Sequence, residues 1–193
     1  YGIIEGPNLG WTSPVILSAF IASALSLAGL IVYEPRRGEP LIDLRFFKSI
    51  PFSSSIVILI AAFAAFGGFL FLSTLYLQEV RDLSPVHAGL VTVPMAMMLV
   101  AFSPISGRMV GRRGPRLPLL ISGVCSIVAC VMLTGLDEGT SYAWLIAAYV
   151  IFGIGMGFVN APVTNAAVSG MPRAQAGVAS AIATTSRQFG QTI

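Results

Sequence analysis

Residues 49–78 read SIPFSSSIVILIAAFAAFGGFLFLSTLYLQ, without one Asp, Glu, Lys or Arg. Apolar residues fall on every side of a helix drawn through this run, so the helix cannot be an amphipathic one lying on a water-soluble core. Crossing ~30 Å of hydrocarbon takes ~20 such residues, and the run is longer than that. Inside lipid the backbone must satisfy its own hydrogen bonds, which leaves a helix or a closed barrel. A barrel strand alternates apolar and polar positions, and this run does not. The reading is a membrane-crossing helix.

Working outward, four more uncharged runs follow the same logic: Thr12–Tyr33, Leu83–Gly107, Leu117–Leu136 and Gly139–Pro172. A sixth stretch, apolar but carrying Arg187, begins at Ala174 and reaches Ile193. The expected fold is therefore all-α, a polytopic transmembrane helix bundle with five complete spans, the start of a sixth and no strands. Composition agrees: 55% of the 193 residues are hydrophobic, 10% are charged, and the mean hydropathy is +0.85. A soluble domain carries ~25% charged residues to cover its surface, so this chain needs a lipid bilayer as its solvent. Tyr1-Gly2-Ile3-Ile4 has no basic n-region and is no signal peptide; it reads as the tail of a preceding span, with 1–11 outside the membrane. Both ends read as cuts in a longer chain.

The loops orient the spans. Arg36, Arg37, Arg45 and Lys48 follow the first span, Arg108, Arg112, Arg113 and Arg116 the third, and Arg173 the fifth. Arg81 stands alone on the other side, so the count is nine against one, and the basic side is cytoplasmic. The net charge of +3 thus reports topology and gives no reason to expect nucleic acid. Asp82-Leu83-Ser84-Pro85 and Asp137-Glu138-Gly139-Thr140 are short turns between antiparallel helices. In the longer connection, Leu41, Leu44 and Phe47 recur at helical spacing among charged residues, which suits an amphipathic segment on the inner membrane surface. Cys125 and Cys130 lie five apart within one span and point apart, as packing residues that bind no metal.

The stretch Gly107-Arg108-Met109-Val110-Gly111-Arg112-Arg113-Gly114-Pro115-Arg116 resembles the loop signature of the major facilitator superfamily, G-x-x-x-D-[RK]-x-G-x-[RK], with Gly111 in place of the acid. The resemblance implies a cytoplasmic gating loop carried by Gly107, Arg108, Arg112, Gly114 and Arg116. Read without it, the same arginines serve equally as a topology-setting loop. Further segments resemble one branch, the fourteen-span drug:proton antiporters. They include Glu5-Gly6-Pro7 with Gly10-Trp11, Pro40-Leu41-Ile42-Asp43-Leu44-Arg45-Phe46-Phe47, Tyr76-Leu77-Gln78, Gly153-Ile154-Gly155-Met156-Gly157 with Pro162, and Arg187-Gln188-Phe189-Gly190. On that resemblance 12–33 is an extra central span, 34–50 a cytoplasmic amphipathic linker, and 51–193 part of the carboxyl-terminal transporter bundle.

All eight carboxylates lie in loops or at span ends. A proton-coupled pump needs an ionisable group inside the membrane, so a coupling acid is expected in the missing amino-terminal half of the same transporter. His87, the only histidine, reads as a solvated loop residue. The sixth segment carries a small and polar stripe, Gly177, Ser180, Thr184, Arg187 and Gln191, at steps of three and four. Arg187 lies about 20 Å along that helix from Arg173 and is expected to face the protein interior rather than lipid. Tyr149, Gly153, Gly157, Asn160 and Thr164 form a second stripe, in which the glycines admit a close helix and Asn160 needs a partner. Phe63, Phe66, Phe69 and Phe71 flank Gly67-Gly68, with Gln78 beyond, and suit either a pocket for aromatic compounds or simple packing. The substrate-pathway candidates are Phe66, Gln78, Asn160, Arg187 and Gln188.

No H-E-x-x-H, G-x-S-x-G or intramembrane carboxylate pair suggests an enzyme, and nothing asks for a cofactor. The expected function, on the resemblance, is a share in a plasma (bacterial inner) membrane exporter of amphipathic drugs or toxic small molecules, working by proton antiport and alternating access. The alternatives are export of a metabolite, lipid or peptide on the same scaffold, or a truncated module that transports nothing.

Overall fold

A computed structural model describes residues 2–33, 49–169 and 176–192, and among them every regular element is a helix. The connection at 34–48 and Arg173 lie outside the described residues. The chain divides into two compact units, Tyr1–Arg45 and Phe46–Ile193.

In the first unit the chain is helical as α1 from Gly2 to Leu9, further than the short tail expected from Tyr1–Ile4. Gly10, at φ 82°, reverses it, and α2 runs Pro14–Tyr33 over 20 residues, about 30 Å. Ser13 starts α2 by accepting the Ile16 N–H at 3.4 Å, with Pro14 at the first helical position. Gly6 lies under the Trp11 ring, where a methyl group would come within 2.7 Å.

The second unit holds α3 (Ile50–Leu75, continued by a π-turn at Tyr76–Val80), α4 (Pro85–Arg113), α5 (Arg116–Met132), α6 (Tyr142–Ser169) and α7 (Ala176–Thr192). Helices α2 to α6 occupy the five uncharged runs, and α7 the sixth stretch, which carries Arg187. Three are long and apolar enough to cross a membrane: Ile50–Val80 with 31 residues, Pro85–Arg113 with 29 and Tyr142–Ala166 with 25. Helix α5 has 17 residues, about 25 Å, at the short end of the spanning range. It stops before Leu136 because Gly135 takes φ 76°, a left-handed conformation that closes the helix.

Helix α6 is the centre, in contact with α3, α4, α5 and α7. Its glycines set the approach. Gly153 meets the Met95 carbonyl of α4 too closely for any side chain, and a methyl at Gly157 would stand 3.0 Å from Phe102 Cβ. On the opposite face a methyl at Gly155 would stand 3.1 Å from the Ser122 carbonyl of α5. Between membrane helices, packing of small residues replaces the hydrophobic drive that water would give. The expected packing role of Gly153-x-x-x-Gly157 is what the structure shows.

Pro162 sits inside α6 and has no N–H for the carbonyl four residues back, that of Phe158. Ser106 of α4, fully buried, donates its hydroxyl to that carbonyl at 3.2 Å. One helix thus repairs the break in its neighbour. Ser106→Ala should cost roughly 0.6–1.7 kcal/mol, the range for hydrogen bonds between membrane helices. In a Pro162→Ala background the restored N–H takes the carbonyl, and the same substitution should cost almost nothing. Thermal unfolding of the two single variants and the double variant, in the full chain, checks this; equal costs in both backgrounds would refute the repair.

Candidate functional site

Helix α7 packs one face on α3, with Ala179, Ala183, Ser186 and Gly190 buried. The crossing is close: a methyl at Gly67 would stand 3.0 Å from the Gln191 carbonyl, and Gly190 lies against Ile60. Arg187 lies beside this seam. Its guanidinium stands 5.1 Å from the centre of the Phe63 ring, a cation–π contact, and its Nε is buried without a hydrogen-bond partner. Gly177, Ser180, Thr184, Gln188 and Gln191 are exposed in this chain. The polar stripe therefore lies on the open side of α7, with the half-buried Arg187 at its edge. Thr184 donates to the Ser180 carbonyl of its own helix at 2.9 Å.

The aromatic run of α3 points mostly inward. Phe69 stacks on Phe152 of α6 at 4.0 Å and 7°, and Phe66 lies parallel to the same ring at 6.3 Å and 4°. Phe63 meets Phe66 edge-on at 6.2 Å, whereas Phe71 is 64% exposed. Phe66 and Arg187 are thus linked through Phe63. Gln78, in the π-turn, is half-buried and stands about 22 Å further along α3 from Phe63.

Asn160 belongs to a different place. Ser103, Gly107 and Gly111 of α4 face Asn160, Thr164 and Asn165 of α6 across an open cleft of about 640 Å³. The Asn160 Oδ1 is buried there without a partner, so the partner that the sequence reading asks for is not supplied among the described residues. The structure instead joins Asn160 to the glycines of the basic segment.

That segment differs from the loop the sequence suggested. Helix α4 continues through Arg113, so Gly107, Arg108, Gly111 and Arg112 are helical, and the turn shrinks to Gly114-Pro115. Gly114, at φ 78°, donates its N–H to the Val110 carbonyl at 3.0 Å. Arg116 opens α5. His87 sits in the first turn of α4, exposed, with Nδ1 2.7 Å from the Ser84 hydroxyl that caps the helix. Cys125 and Cys130 are both free.

A clasp at the other end is absent from the sequence reading. Arg81, after the π-turn, donates to the carbonyls of Glu138 and Thr140, each at 2.7 Å, and its guanidinium lies 4.4 Å from the centre of the Tyr142 ring. The Tyr76 hydroxyl donates to the Asp137 carbonyl at 2.6 Å. Hydrogen bonding to the Tyr142 side chain raises the Arg81 pKa. Trp144 adds a bond from Nε1 to the Met132 carbonyl at 2.8 Å. The signal for this clasp lay in one cation and several interfacial aromatics at the same end, but the contacts run between residues about sixty apart. Arg81→Ala should speed hydrogen exchange of the amides at 137–141, and Arg81→Lys, which lacks the guanidinium fork, should restore only part of the protection. Unchanged exchange in Arg81→Ala would show that the turn holds itself.

The family model described as Major Facilitator Superfamily matches residues 4–193. The Multidrug resistance protein Stp of Mycobacterium tuberculosis is 32% identical over 193 residues, covering 100% of this chain and 36% of that protein. The Tetracenomycin C resistance and export protein of Streptomyces glaucescens is 31% identical, with the same coverage of 100% and 36%. The Drug efflux pump JefA of Mycobacterium tuberculosis is 30% identical over 192 residues, covering 98% of this chain and 37% of its own length. The chain spans little more than a third of these relatives.

Proposed function

Because this chain belongs to the major facilitator superfamily, as a multi-pass protein of the plasma membrane, we propose that it is part of the carboxyl-terminal half of a fourteen-span exporter of amphipathic drugs or toxic small molecules. Export runs by proton antiport and alternating access. The observation that carries the reading is the cation of α7: Arg187, held on Phe63, keeps a buried Nε without a partner beside an open polar face. A lone arginine at such a depth costs at least ~2.5 kcal/mol on insertion scales and needs a compensating contact. An acid of the amino-terminal half supplies it, and the guanidinium lowers that acid's pKa, so that loss of the contact goes with proton uptake. Asn160 and the glycines of α4 lie at the cytoplasmic gate, and Phe66, Gln78 and Gln188 border the pathway.

The test uses the full-length protein in inside-out vesicles with an acidic interior. Adding an exported amphiphile should discharge the pH gradient, and an ionophore should abolish drug accumulation. Arg187→Gln should lose most of both signals at an unchanged amount of protein in the membrane. Full drug accumulation without a gradient would remove proton antiport. Full activity of Arg187→Gln and Arg187→Lys would leave the arginine as an anchor only.

A further inference from the structure

From the last turns of α4 we infer a binding site for the phosphate of an anionic phospholipid headgroup, formed by Arg108, Arg112 and Arg113. These residues and the apolar Ile105 and Met109 line one groove of about 260 Å³ on α4 alone. Their spacing of three, four, seven and eight places them on one helix face. The opposite face carries Gly107, Val110 and Gly111, which border the cleft to α6. The three arginines are exposed, and none has a hydrogen-bond or ion-pair partner among the described residues.

Depth identifies the occupant. Helix α4 has 29 residues, about 43 Å, against ~30 Å of hydrocarbon. With Pro85 at one interface the hydrocarbon ends near Ile105, so Arg108 to Arg113 stand at headgroup level. Ile105 and Met109 then meet the upper acyl chains, and the guanidinium groups meet phosphate, which they hold in bidentate fashion. The superfamily signature has an acid where this chain has Gly111, so no carboxylate within the segment neutralises the arginines. The inference requires only that this end of α4 reaches a membrane surface and does not depend on what the protein exports.

The experiment compares full-length protein in nanodiscs of phosphatidylcholine with and without phosphatidylglycerol, reading thermal unfolding and the phospholipid retained in native mass spectra. Each arginine near a charged bilayer strengthens binding about fivefold, so Arg108→Gln/Arg112→Gln/Arg113→Gln should weaken phosphatidylglycerol retention roughly a hundredfold and cancel its stabilising effect. The corresponding triple lysine variant should keep part of both, and Arg81→Gln, at the other end, should change neither. Equal phosphatidylglycerol retention by wild type and the glutamine variant would overturn the inference. So would an equal loss of stability in both lipid compositions, which would mean that the arginines serve an acid elsewhere in the protein.

Discussion

Gly153→Leu should abolish the folded protein, leaving aggregate on size-exclusion in detergent, while Gly123→Ala leaves the elution unchanged and raises the unfolding temperature slightly, by helix propensity alone. A side chain at Gly153 would begin inside the contact distance of the Met95 carbonyl, and backbone cannot swing away as a flexible side-chain end can. Helices α4 and α6 must therefore separate. The neighbouring close contact at Gly157 with Leu99 and Phe102 would open with them, and so would the Ser106 bond to Phe158. Overpacking by extra carbons typically costs 1–3 kcal/mol where side chains can adjust, and here they cannot. Gly153→Ala is the graded version. Alanine favours a helix over glycine by about 1 kcal/mol, so a lower unfolding temperature for Gly153→Ala isolates the steric effect from propensity. Gly123 on α5 has nothing within 4 Å of a new methyl, which makes it the matched control. A stable, monodisperse Gly153→Leu protein would refute the packing of α4 on α6.

The second large effect concerns the 193-residue chain by itself: reconstituted in liposomes, it should carry no drug flux driven by a pH gradient. Its carboxylates, Glu5, Glu34, Glu39, Asp43, Glu79, Asp82, Asp137 and Glu138, all fall outside the five uncharged runs and the sixth apolar stretch of the sequence. No group within the spans can therefore hold and release the coupling proton. The face of α7 that carries Ser180, Thr184 and Gln188 is open, and the Asn160 cleft is open too, so among the described residues no second wall stands to alternate access against. Co-expression with the remainder of the full-length protein should restore flux. Gradient-driven flux by the chain alone, above that of empty liposomes, would sink both this expectation and the proposed division of labour.

The relation between sequence and structure follows from where each kind of information resides. The runs from Thr12 to Pro172 announced their helices because the cost of exposing backbone and apolar side chains is paid within each segment, independently of its neighbours. The turns at Ser84-Pro85 and the glycine spacing in α6 were legible for the same reason, since caps and close-approach positions are written in local residue types. The site was legible only in part. Arg187 drew notice as a lone cation in an apolar helix, but its seat on Phe63 depends on how α7 crosses α3. The basic segment reads as a loop because its glycines suggest reversal; in the fold Gly107 and Gly111 line the open cleft to α6, and Gly114 alone makes the turn.

The sequence by itself determined the solvent and the all-helical fold, with each apolar run becoming a helix, because ~20 apolar residues have one favourable environment whatever they touch. Tertiary structure alone decided which partners meet. Asn160 faces the cleft to Gly107 rather than Arg187, Ser106 serves the carbonyl freed by Pro162, and Arg81 clasps a turn about sixty residues away. In lipid the apolar surfaces of two helices gain little by leaving one hydrocarbon for another, so hydropathy carries no preference among neighbours. The choice falls to backbone approach at glycines and to single hydrogen bonds, which exist only once two helices are side by side.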